Sequence, residues 1–94
     1  MKMFGYECTC VAIGEGKDTR YQLFSNEVGP LGYINISYLG KSDTVIAVND
    51  YSEMAGTLDA LKELGVVKAE LGHVQSGFIK LPLVEIDKER LLSA

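Results

Sequence analysis

Residues 50–65 read DYSEMAGTLDALKELG, and this stretch decides the fold class. Asp50 is a good helix N-cap, and Glu53 three residues later completes a capping-box pattern. Met54, Leu58, Leu61 and Leu64 recur at helical spacing, with Ala55 and Ala60 beside them. Gly65 stands where a left-handed glycine ends a helix, and Val66 can fold back onto Leu61. Start, stripe and stop agree on one helix over about residues 51–64.

Everything on either side of this helix reads as strand. Downstream, Val66–Val74 and Phe78–Ile86 form a hairpin around Gln75-Ser76-Gly77, with Gly77 in the bulge position of a three-residue loop. Pairing Val74 with Phe78 puts Val67, Ala69, Leu71 and His73 on one face with Ile79, Leu81 and Leu83, and Lys68, Glu70 and Lys80 on the other. Pro82 cannot donate to a ladder, so its strand is expected at an edge or bulged there. A short C-terminal helix is expected from Asp87, using Leu91 and Leu92.

Upstream, Phe4–Ile13 alternates, with Phe4, Tyr6, Cys8, Cys10 and Ala12 on one face. Glycine-rich turn chemistry at 14–18 leads into a second strand, Thr19–Ser25, making the opening a hairpin. Residues 26–32 read as a loop. Tyr33–Leu39 is a third strand, and Thr44–Val48, apolar on both faces, is a fourth with a central place in the sheet.

The sequence thus predicts a single α+β domain with elements in the order β-β-β-β-α-β-β: a mostly antiparallel, curled sheet of about six strands with one main helix on one face. A 14-residue helix is about 21 Å long, whereas six strands span about 24 Å across the sheet. Sheet surface is therefore left over, and it needs either strong curling or a second copy of the chain to cover it.

The 94 residues are 47% hydrophobic and 23% charged, with 13 acidic and 9 basic side chains and a net charge of −4. That balance works against nucleic-acid binding, where phosphate contacts supply most of the nonspecific affinity. The acids are spread along the chain, so no acidic surface mimicking DNA is built. No run reaches the roughly 18 to 20 apolar residues a membrane-spanning helix requires. The N-terminal stretch lacks an apolar signal core, which gives the expectation of a cytoplasmic, untargeted protein.

Cys8 and Cys10 are the only thiols. On a strand their Cα atoms stand about 6.5 to 7 Å apart, at or beyond the reach of an unstrained disulfide. With His73 as the only histidine, a zinc site lacks ligands, so no metal or other cofactor is expected and the thiols read as small packed side chains. Gly40-Lys41-Ser42 resembles the end of a phosphate-binding loop, but position 35 is Asn where that pattern needs Gly, and a strand follows instead of a helix. Gly14-Glu15-Gly16 lacks the third glycine and the helix of a dinucleotide site.

Seven of the eight aromatic residues lie in the first 51 positions. Tyr suits surfaces that are apolar at one end and wet at the other, so Tyr6, Tyr21, Tyr33 and Tyr38 are the candidate binding residues, with His73 as the only side chain whose ordinary pKa is near neutrality. No catalytic constellation surrounds any of them.

Three functions are consistent with this reading. The first is a non-catalytic accessory, regulatory or inhibitor module that binds another protein, or a second copy of itself as a homodimer, through its sheet face or an edge strand. The second is a small-molecule or nucleotide-binding protein that takes a planar ligand in a Tyr-lined cleft. The third is a small enzyme using His73 with a carboxylate from elsewhere.

Overall fold

A computed structural model describes residues 1–36 and 42–93. Its architecture is α+β, with antiparallel strands, one main helix and a short C-terminal helix. Among the described residues, the strands divide between two four-stranded sheets. The first contains β1 (Lys2–Met3), β2 (Tyr6–Ile13), β3 (Arg20–Ser25) and β4 (Gly29–Tyr33), paired in chain order. The second contains β5 (Asn35–Ile36), β6 (Val45–Val48), β7 (Val67–Ser76) and β8 (Ile79–Ile86), in the order β5-β6-β8-β7.

One core joins the sheets. Cys8, Cys10, Tyr21 and Leu23 from the first meet Ile46, Val48, Val84 and Ile86 from the second, with Leu61 of helix α1 (Thr57–Glu63) and Leu91 of helix α2 (Lys88–Ser93). The surface that the helix is too short to cover is thus covered largely from within the chain. Helix α2, packed on β2, adds to that cover.

Asn35 stitches the junction of the two sheets. Its Oδ1 accepts a hydrogen bond from the Tyr21 backbone N–H at 2.8 Å, and its Nδ2 donates to the Thr19 carbonyl at 3.0 Å. A buried amide thereby supplies the donor and acceptor that a neighbouring strand would otherwise provide.

The main helix is shorter than its sequence pattern. Residues 52–54 form a single 3-10 turn, and Gly56, at φ +97, interrupts the rise before α1 begins. Asp50 still caps: its Oδ1 accepts from the backbone N–H groups of Gly56 at 2.8 Å and Leu58 at 3.3 Å. The ending follows expectation, with the Gly65 N–H donating to the Lys62 carbonyl and the Val66 N–H to the Leu61 carbonyl, the two bonds of a Schellman motif. Arg90 of α2 adds a third cap, its Nε donating to the Leu64 carbonyl at 2.8 Å.

Two strand readings are corrected. The stretch from Phe4 begins with a tight turn at Phe4-Gly5, so that β1 and β2 are separate strands, and the expected loop at 26–32 contains β4. Pro30 and two glycines made that segment look like a loop, but β4 is an edge strand, where a missing donor is tolerated. The last three residues of the expected third strand, 37–39, lie outside the described residues. Strand β6 is interior to its sheet, as its two apolar faces suggest.

Candidate interaction surface

The first sheet has one face in the core and one in solvent. Alternation along β2 sends Cys8 and Cys10 inward and Thr9, Val11 and Ile13 outward. Cross-strand pairing sets Thr9 opposite Phe24, Val11 opposite Gln22, and Ile13 opposite Arg20, and Tyr33 lies beyond Gln22 on β4. The outward face therefore carries Val11, 42% exposed, and Ile13, 44% exposed, beside half-buried Phe24 and Tyr33. The Arg20 guanidinium stacks on the Tyr33 ring, 4.2 Å from its centroid. That contact holds two long side chains in place.

Tyr33 also borders an open groove of about 330 Å³, lined with Tyr51, Asn49 and Met54 among others. Asn49 is fixed there by donating its Nδ2 to the Tyr33 carbonyl at 3.0 Å. Ser52 at the groove has a left-handed φ of +55, uncommon for a side-chain-bearing residue.

The structure separates the residues expected to bind together. Among the described residues of that set, Tyr33 alone lies on the outward face of the first sheet. Tyr6 is half-buried against the core. Tyr21 is corrected from surface to core: it is fully buried, and its hydroxyl donates to the Asp43 carbonyl at 2.6 Å. Burial, reinforced by nearby Asp43 and Cys10, pushes its phenol up to about 12, so it stays neutral. Tyr38 lies outside the described residues.

His73 is also moved. The β7–β8 loop is the two-residue Gly77-Phe78, so Ser76 pairs with Ile79, Val74 with Leu81 and His73 with Pro82. Gly77 has φ +61, the sign a type II′ turn requires at its first position. His73 is therefore exposed on the polar face with Gln75 and Lys80, not beside Ile79. Glu85 pairs with Ala69, between the two irregularities of β7 and separated from His73 by the one at Leu71.

Cys8 and Cys10 are buried and unbridged. Burial pushes the Cys10 thiol up to about 12, so it is not a thiolate nucleophile near neutrality. Among the described residues, no group of three or more His, Cys, Asp and Glu side chains is placed to hold a metal ion, and no helix is long and apolar enough to cross a membrane.

Sequence alternation had already hinted at the outward face, because β2's solvent side changes from Glu7 and Thr9 to Val11 and Ile13. Arg20 and Phe24 carried no such signal, since their roles depend on cross-strand pairing. The chain matches no family model, no curated protein and no solved structure.

Proposed function

We propose that the protein is a non-catalytic interaction module, an accessory, regulatory or inhibitor protein, that binds another protein through the outward face of its first sheet. The observation that carries this reading is the patch of Val11, Ile13, Phe24 and Tyr33, with Arg20 already stacked on Tyr33. Interfaces concentrate aromatic residues and Arg at their centres, and a side chain already held in place loses less entropy on binding. Two free, buried cysteines fit a reducing, cytoplasmic setting.

The test is native mass spectrometry of the protein purified from its own host, alongside an Ile13→Glu variant. Ile13 is exposed enough for the change to leave folding intact, which circular dichroism checks. A stoichiometric protein partner carried by the wild type and lost in the variant supports the reading. No partner, or one retained equally by the variant, overturns it.

The groove between Tyr33 and Tyr51 favours a second reading, a site for a small planar ligand. Its sign in the same experiment is a small retained mass that disappears in Tyr51→Ala.

A further inference from the structure

Strands β7 and β8 extend past the rest of their sheet as an arm. The β6–β8 ladder runs from Val45↔Glu85 to Ala47↔Leu83 and stops. The Ile86 N–H donates to the Thr44 carbonyl at 2.7 Å, so alternate residues of β8 turn their polar backbone toward β6. Pro82 is the next in that series after Val84, and it has no donor to give. Beyond it, among the described residues, the arm consists of two strands alone.

The outer side of β7 is an open sheet edge, since no strand lies beyond it among the described residues. Its first half is protected. Lys68 and Leu71 are each an extra residue in the pairing, and such bulges disrupt an edge. From Gly72 to Ser76 the register is regular. A two-residue hairpin loop makes Ser76↔Ile79 a hydrogen-bonded pair, so Val74↔Leu81 is one too, while His73 and Gln75 turn their N–H and C=O groups outward. Between Leu71 and Leu83 the only full charge is Lys80, on the other strand. This edge lacks the charged residue that commonly guards one.

We infer that a second copy of this chain occupies the edge, with β7 pairing antiparallel to β7 about a two-fold axis through Val74. The outward backbone groups select this register, because His73 of one copy then exchanges both hydrogen bonds with Gln75 of the other, and the symmetry repeats the exchange. The same register brings together two exposed apolar side chains. Leu71, 51% exposed, falls opposite Gly77 of the second copy, next to its fully exposed Phe78. Leu71 and Phe78 lie almost symmetrically about the axis, so each interface end receives one of each. Net charge does not oppose the contact, since the approaching segments are nearly neutral in a chain of −4. The paired arms use a different surface from the first-sheet face, so either inference can fail without the other.

Sedimentation velocity from about 1 to 200 µM covers the range in which a small interface associates. The wild type is expected to become dimeric across it, and Gln75→Pro to remain monomeric. The substitution removes an outward N–H that the hairpin does not use, and circular dichroism confirms its folding. Cross-linking then checks the register. Two Val74 Cα atoms in a non-hydrogen-bonded pair stand about 4.5 Å apart, within disulfide range. Two Ser76 Cα atoms stand about 14 Å apart, because each lies two residues from the axis. With oxidised glutathione, Val74→Cys should form a covalent dimer and Ser76→Cys should not, while native Cys8 and Cys10 are buried. A wild type monomeric throughout, a Gln75→Pro variant as dimeric as the wild type, or equal cross-linking of the two cysteine variants overturns the inference.

Discussion

Replacing Asn35 with Ala should destabilise the protein more than any single hydrogen bond would suggest. The side chain is buried and makes two hydrogen bonds, one from the Tyr21 N–H and one to the Thr19 carbonyl. Tyr21 and Thr19 are themselves buried, so water cannot readily replace the lost amide. An orphaned buried polar group costs about 1–3 kcal/mol. Assigning about 2 kcal/mol to the N–H and about 1 kcal/mol to the carbonyl, which has a second lone pair to use, gives a loss of about 3 kcal/mol. For a domain of this size each kcal/mol lowers the melting temperature by about 4–8 °C, so the variant should melt at least about 12 °C lower. Urea unfolding followed by far-ultraviolet circular dichroism measures the loss directly through the shift in midpoint at unchanged slope. Asn49→Ala is the control: it removes one hydrogen bond, to the Tyr33 carbonyl, at a half-buried site, and should cost about 1 kcal/mol. If Asn35→Ala costs no more than Asn49→Ala, the amide does not hold the two sheets together and the reasoning fails.

Three further outcomes follow from the same structure. Asp50→Ala removes the acceptor for two N–H groups at the start of α1 and should cost about 1 kcal/mol in urea unfolding, with Asp50→Asn recovering most of it. Cys10, buried and protonated, should resist iodoacetamide at pH 8 in the folded protein and react fully in denaturant, as mass spectrometry of the labelled chain will show; rapid native labelling would contradict its burial. The Lys88 ammonium, hydrogen-bonded to Asp43 at 2.5 Å, holds that carboxyl below its ordinary value. A depressed folded value stabilises above the unfolded pKa and is lost as pH falls through the folded one, so Lys88→Met should flatten the stability profile below about pH 4. Both partners are partly exposed, which keeps the effect small.

Local chemistry was legible wherever a feature depends on neighbours in the chain. The Schellman ending at Gly65 and Val66 was visible because its partners, Leu61 and Lys62, lie within five residues. The inward pair Cys8 and Cys10 followed from strand alternation alone. Even the Asp50 cap could be read, though it serves a helix that starts later, because Gly56 interrupts a stripe whose apolar spacing continues through it.

What distant parts of the chain do to one another could not be read this way. His73 changed faces because Gly77-Phe78 forms a two-residue turn, and a change of loop length resets every pair in a hairpin. Leu71 points to solvent from a bulge that alternation cannot anticipate. Tyr21 reads like the other tyrosines but is buried where the two sheets meet, and Tyr33 owes its place on the outward face to pairing with Gln22. By itself the sequence determined most of the element types, the Asp50 and Gly65 caps and the inward face of β2, because those rest on spacing and short-range hydrogen bonds. Only the tertiary structure decided that the strands divide into two sheets covering one core and that an arm with an open edge projects from them, because those outcomes depend on which strands find each other across the chain.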